Sequence, residues 1–199
     1  MGKIAFPQRR IIGLTGGIAT GKSTASDYLL QRHKLPVLDA DVYARQAVAK
    51  GSGILDAIAH RYGYKILLAD GTLDRAQLGK IIFNNSEEKK WIEQQIHPFV
   101  RANFKAATES FSPLQTLVYS IPLLFEVNLT HLVTETWVVT CQSFQQKQRL
   151  MNRSGLSASD AQSRIDAQMA LEDKCQLANY VLDNSTEIAL LYKQIDALV

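Results

Sequence analysis

Residues 9–38 read RRIIGLTGGIATGKSTASDYLLQRHKLPVL. The apolar run Ile11, Ile12, Gly13, Leu14 passes directly into the glycine-rich TGGIATGKST, which reads as a buried strand, a tight loop and the start of a helix. That helix is expected from about Lys22 to His33: Ala25, Tyr28 and Leu29 fall at i, i+3 and i+4 on one face, and Pro36 bars continuation. Val37 and Leu38 then open a second short strand. Two strands joined by a helix form a βαβ unit, whose strands must lie parallel with a right-handed crossover. The class is α/β.

Working outward, β-branched or apolar runs at Thr116 to Ser120, Thr136 to Thr140 and Tyr180 to Leu182 supply three further strand candidates. The expectation is a parallel sheet of about five strands covered by helices on both faces, a three-layer α/β/α arrangement. Strand order is not legible at this level. Between Ala47 and Pro113 only helical segments are found: Ile54 to Tyr62, Arg75 to Phe83, Ser86 to Ile96, and Pro98 to Glu109. A second helical stretch lies between Ser143 and Leu177, where Ser143 with Gln146 and Ser157 with Asp160 match capping-box spacing. The expected single domain has a core of 9–46, 114–142 and 178–199, a helical insertion 47–113 and a second helical segment 143–177.

At 199 residues one domain of common size is expected. Hydrophobic residues at 46% and charged residues at 21% exclude a disordered or fibrous chain. The longest apolar stretch, Leu117 to Phe125, is broken by Ser120 and Pro122 and falls far short of the roughly 20 residues of a membrane helix. The opening MGKIAFPQRR lacks the apolar region of a secretory signal, and Phe6 stands where a myristoylation motif needs Ser or Thr, so it reads as a short mobile leader. A formal charge of +3 without any block of like charge argues against nucleic acid as a partner. Glu87 to Lys90 read as a solvated helix face. Cys141 and Cys175 lack metal-ligand or CxxC spacing and are read as plain thiols of a reducing, cytoplasmic environment. Trp91 and Trp137 are read as core.

Gly16, Gly21, Lys22 and Ser23 satisfy GxxxxGK(S/T) in the context its mechanism requires, after a buried strand and opening a helix. Without bulky side chains at Gly16, Gly17 and Gly21, successive backbone N–H groups converge on phosphate oxygens, and the helix N-terminus adds positive potential. Lys22 reaches between β- and γ-phosphates, the Ser23 hydroxyl is placed to ligate magnesium, and Thr24 closes the loop. The chain has no NKxD for reading guanine and no LSGGQ-like run. A small-molecule kinase is the economical reading; the rivals are a nucleoside or other metabolite kinase, and a regulatory ATPase acting on a protein.

Phosphoryl transfer to an alcohol needs a group that orients the hydroxyl and takes its proton. Asp39 and Asp41 lie at the end of the second strand, where ligands of open α/β sheets gather, and period-two spacing would aim both the same way. Arg45 follows Asp41 at i+4. Arg149 and Arg153 crowd two positive charges at i, i+4, an arrangement an anion relieves, although Arg153 before Gly155 also suits a helix C-terminus. His97 before Pro98 suits the start of a new helix. Pro122 puts Leu123, Leu124 and Phe125 beyond a strand end, as core or as an apolar wall, and Asp183 with Asn184 fits an ordinary turn.

GLTGGIATGKST followed by LDADVYAR at Leu38 to Arg45 resembles the opening of dephospho-coenzyme A kinases. DGTLDR (Asp70 to Arg75), IHP (Ile96 to Pro98), IPLLFE (Ile121 to Glu126), QRLMNR (Gln148 to Arg153) and ANYVLDNS (Ala178 to Ser185) keep the family's order, so the resemblance spans Ile11 to about Ser185. Two positions depart from it: Ala19 stands where a third loop glycine is usual, and Ser120 where many relatives carry a carboxylate. The resemblance implies a P-loop NTPase fold with ATP as donor, magnesium, and dephospho-CoA as acceptor. It implies Asp41 as base, Asp39 in support, and segment 143–177 as a lid closing over ATP, to which Arg164 and Gln168 also belong. Catalytic roles fall to Asp41, Lys22 and Arg149. Gly17, Ala19, Thr20, Gly21, Lys22, Ser23, Thr24, Arg149, Arg153 and Asn184 are assigned to the nucleotide, with Asn184 near adenine. Thr15, Asp41, Arg45, His97, Leu123 and Glu126 are assigned to the acceptor.

Overall fold

The computed structural model describes residues 9–83 and 85–199. The expected leader lies mostly in residues 1–8, outside the described residues. Strand β1 (Ile11–Gly16) is buried from Ile12 to Gly16, as an apolar run covered on both faces must be. It runs through the loop into helix α1 (Lys22–His33), which stops at Lys34 in the left-handed conformation, two residues before Pro36. Strand β2 (Val37–Asp39) follows. Strands β3 (Leu117–Ser120), β4 (Glu135–Thr140) and β5 (Tyr180–Asp183) complete the sheet. All five are parallel in the order β2-β3-β1-β4-β5. The loop-bearing β1 is thus central and its sequence neighbour β2 is an edge, one strand removed. Every expected strand is present; the order is what the structure adds.

Residues 40–110 form one compact unit and the remainder another. In the sheet-bearing unit, Ile12 and Leu14 of β1 meet Ala25 and Leu29 of α1 and Leu191 and Ile195 of helix α9 (Ile188–Asp196) on one face. The other face receives helix α8 (Leu171–Leu177) and the turn carrying Leu124, which reaches Gly13 so closely that a methyl there would press on it. Helices α6 (Ser143–Ser154) and α7 (Ala158–Asp166) lie between β4 and α8 in the chain. Ser157 caps α7 as expected, accepting from the Asp160 N–H at 3.1 Å. The α6 capping box lies one residue earlier than expected, on Gln142 and Gln145, because Gln146 is buried and used elsewhere.

The other unit contains helices α2 (Ala40–Ala47), α3 (Gly53–Tyr62), α4 (Arg75–Phe83) and α5 (Ser86–Glu109). Their apolar cluster includes Val48, Leu55, Ile58, Ile66, Leu78 and Ile92. The two helices expected on either side of Pro98 are one 24-residue helix with the proline inside it. An interior proline removes one backbone bond and costs about 3 kcal/mol, which α5 tolerates because it packs along α2, α3 and α4 and buries Ile92 and Phe104 on either side of the break. His97 is therefore mid-helix, a correction to its expected place at a helix start. Trp137 is fully buried as expected, but Trp91 is only partly buried, with the Arg61 guanidinium 4.5 Å above its ring. Of the presumed solvated run, Glu88 is engaged by Arg61 and Tyr62. Among the described residues no helix is long and apolar enough to cross a membrane.

Candidate active site

The loop between β1 and α1 is shaped by two residues in the left-handed region, Ala19 at φ 62° and Gly21 at φ 107°. At Gly21 only glycine fits, since a side chain would also run into the Asn184 amide. Ala19 has no such freedom, and an alanine there costs roughly 1–2 kcal/mol. The usual third glycine of the motif is therefore missing at a position whose geometry favours it.

The loop is held by side chains from distant parts of the chain. Ile18 donates its N–H to Gln168 Oε1 at 2.9 Å, and its carbonyl accepts from Gln146 Nε2 at 2.9 Å. The Thr20 carbonyl accepts from Asn184 Nδ2 at 2.8 Å. Thr20 itself turns inward, its hydroxyl donating to the Gly17 carbonyl at 2.9 Å. Gly17 lies against Gln146 and Gly16 against the Val139 carbonyl, so a Cβ at either would collide. Lys22, Ser23 and Thr24 are the first three residues of α1, with Ser23 exposed.

At the mouth of the loop, Lys22 Nζ donates to Ser120 Oγ, which donates to Asp39 Oδ2 at 2.8 Å, and Lys22 and Asp39 lie 3.7 Å apart. Ser120 and Asp39 are direct partners across the β2–β3 pair. The serine at the departing position is thus a relay between lysine and carboxylate. Strand alternation does not carry on to Asp41, because β2 ends at Asp39 and α2 begins at Ala40. Asp41 and Arg45 are exposed, one turn apart on α2, and His97 is half-buried on α5, which packs on α2.

Beneath the loop, Thr15 is fully buried and donates to the Pro122 carbonyl at 3.0 Å. Lys174 of α8, unremarked in the sequence, is also fully buried, with its ammonium 2.7 Å from Glu126 Oε1, 3.2 Å from the Pro122 carbonyl and 3.4 Å from the Gly16 carbonyl. The Met169 N–H donates to the same Glu126 oxygen at 3.2 Å. Leu124 and Phe125 are core and Leu123 is half-buried. The available signal for Lys174 was its spacing from Leu171, i to i+3, on the face α8 turns inward; its acidic neighbours Glu172 and Asp173 make it look like a surface residue.

On α6, Arg149 is half-buried and donates from Nη2 to the Asn184 carbonyl at 3.1 Å. Its buried Nη1 has no hydrogen-bond partner among the described residues. A buried guanidinium nitrogen left in this way fits an anion. Arg153 is exposed in the last turn of α6, before the left-handed Gly155, and Arg164 is exposed on α7. Asp183 and Asn184 do form a turn, closed by Ser185 N–H on Asp183 Oδ1 at 2.8 Å. Cys141, buried beside Arg149, and Cys175 are free thiols, and burial pushes both thiols up. Among the described residues no three His, Cys, Asp or Glu side chains gather as a metal cage.

A central strand delivering a phosphate loop into a helix, lysine at its mouth and an arginine with an unsatisfied nitrogen on a following helix, together define a P-loop kinase. The family model for dephospho-CoA kinase matches residues 10–189. A dephospho-CoA kinase of Trichormus variabilis is 57% identical over 189 residues, covering 94% of this chain and 95% of that one. Of solved structures, TT1252 from Thermus thermophilus superposes with a TM-score of 0.84 at 31% identity, covering 96% of this chain and 97% of that one. A dephospho-CoA kinase from Campylobacter jejuni gives 0.66 at 26%, with 94% of each chain covered. The chain belongs to the dephospho-CoA kinase family.

Proposed function

We propose that the chain transfers the γ-phosphoryl group of ATP to the 3′-hydroxyl of the ribose of dephospho-CoA, giving CoA and ADP, the last step of coenzyme A biosynthesis, in the cytoplasm. Family membership across nearly the whole chain is the observation that carries this reading. The loop geometry and the unsatisfied Arg149 nitrogen support a triphosphate as donor.

In this reading the N–H groups of Ala19, Gly21, Lys22, Ser23 and Thr24 and the Lys22 ammonium cradle the phosphates, Arg149 neutralises charge on the transferring group, and Arg153 binds the nucleotide. Asn184 lies by the adenine. The Ser23 hydroxyl, exposed at the start of α1, would hold magnesium, which would supply charge neutralisation when bound. Asp41 orients the ribose hydroxyl and takes its proton as the oxygen bonds to phosphorus and ADP departs. Arg45 grips an acceptor phosphate, and His97, Leu123, Glu126 and the helical insertion 47–113 are assigned to the acceptor; Thr15, expected there too, is fully buried and spent on the Pro122 carbonyl, and does not reach a ligand. Segment 143–177 serves as the lid: its exposed part, with Arg153 and Arg164, closes over ATP and keeps water from competing with the hydroxyl, while Gln146, Gln168 and Lys174 stay anchored at the loop.

The test is ADP formation by the purified protein with Mg-ATP, with and without dephospho-CoA and against a panel of nucleosides and small metabolites. A rate no faster with dephospho-CoA than without it overturns the proposal, and a higher kcat/KM for another acceptor reassigns the substrate.

A further inference from the structure

We propose that Gln146 and Gln168 are positioning residues that hold the phosphate loop in its binding conformation by gripping the peptide planes on both sides of Ile18. The proposal rests on the reading that this loop binds ATP.

The problem they solve is Ala19. At φ 62° it sits where glycine rests freely and alanine does not, so left to itself the loop turns away from this conformation. The Ile18 carbonyl belongs to the peptide plane that ends in the Ala19 N–H. By donating to that carbonyl at 2.9 Å, Gln146 fixes the plane about which φ of Ala19 is measured. Gln168 accepts the Ile18 N–H at 2.9 Å and fixes the plane before it. Asn184, donating to the Thr20 carbonyl at 2.8 Å, fixes the plane after Thr20. The left-handed residue is thus bracketed by bonded peptides.

Two further observations point the same way. Gln146 is only 4% exposed although it sits in the first turn of a largely polar helix, and its amide nitrogen donates to this carbonyl. A Cβ at Gly17 would collide with Gln146 Nε2, so the glycine and the glutamine are fitted to each other. Gln168 takes the Ile18 N–H and the Gly17 carbonyl takes the Thr20 N–H at 3.3 Å, while the Ala19 N–H between them is oriented by Gln146 before any ligand arrives. Binding then does not have to reorganise the loop.

The experiment is a double-mutant cycle read as the Kd of ATP by calorimetry, without acceptor, on the full chain. Gln168→Met is expected to weaken ATP about tenfold in the otherwise native chain but less than about threefold together with Ala19→Gly, since glycine holds the conformation unaided. Gln146→Met should show the same pattern, each loss being taken relative to the chain with the same residue at position 19. Gln168 is partly exposed, so its variant carries the test should the Gln146 variant fail to fold. Equal losses with alanine and with glycine at the position, as a merely structural role gives, overturn the proposal, as does the absence of any loss. A wild-type chain that does not bind ATP overturns the nucleotide reading along with it; additive losses on a chain that does bind overturn this inference alone.

Discussion

The phosphate loop and the helical unit of residues 40–110 are held together by different physics. The loop is tied by directional bonds from far along the chain: Gln146 and Gln168 on Ile18, Asn184 on Thr20, Lys174 beneath Gly16. The helical unit rests on an apolar cluster around Leu55, Ile58 and Ile92, with a polar knot, Arg61–Glu88–Tyr62, at its margin. A loop whose work is to aim N–H groups needs its peptide planes fixed in angle, which only hydrogen bonds do. A set of helices that presents side chains needs its axes fixed in place, and non-directional packing suffices. Substitutions should therefore divide cleanly between the two, and the divisions can be measured.

The largest effect is expected at Asp41, an exposed residue in the first turn of α2. As the proposed base, Asp41→Asn should lower kcat about a thousandfold while ATP affinity stays within about twofold. A near-normal kcat would move the base elsewhere, and a collapse of stability would show that the helical unit depends on more than packing.

Lys174 comes next. Replacing it by methionine strands the Glu126 carboxylate, mostly buried, without its cation, and should cost about 3 kcal/mol of stability in chemical denaturation. Lys174→Met combined with Glu126→Gln removes both charges and should recover most of that loss. Were the single and double variants equally destabilised, the pair would matter for its shape and not its charge. Lys22→Ala should lower kcat/KM by about a hundredfold and weaken ATP, with little change in Tm, because its ammonium serves the mouth of the loop, bonded to Ser120 beside Asp39. Unchanged ATP binding would contradict its role.

The contrast also explains what the sequence discloses. The strand, loop and α1 are contiguous, so glycine spacing and a buried run suffice to place them, and the five strands follow from short apolar runs. Strand order depends on which edges pair, and nothing local states that β3 inserts between β1 and β2. The clamps on the loop are separated from it by more than a hundred residues, so no window of sequence joins Ile18 to Gln146 or Gly16 to Lys174. Gln146 did leave a trace, four residues before buried Leu150 on the inward face of α6, where a polar residue calls for a partner. Pro98 misled for the opposite reason. Its local cost is real, and packing of α5 along three helices outweighed it.

The smallest expected effect tests the polar knot of the helical unit. Arg61 donates to both Glu88 oxygens, at 2.7 and 2.9 Å, and the Tyr62 hydroxyl donates at 2.5 Å. The guanidinium, followed by the phenol, holds the Glu88 carboxyl well below its usual 4.5, at about 2. A carboxylate favoured by folding contributes stability above its unfolded value and loses it as pH falls toward its folded value. Glu88→Gln should therefore lower Tm slightly at pH 7, and the gap to the wild type should close between about pH 4.5 and about pH 2. On the alkaline side burial and Glu88 push Tyr62 up to about 12, so its phenol remains protonated where an ordinary tyrosine begins to ionise, and stability from that proton is lost only above about pH 10. Thermal melts of the two chains across the acid range decide the matter. A gap that stays constant with pH would mean that the knot holds the helices through its shape, like the apolar cluster beside it, and that charge has no part in the packing of this unit.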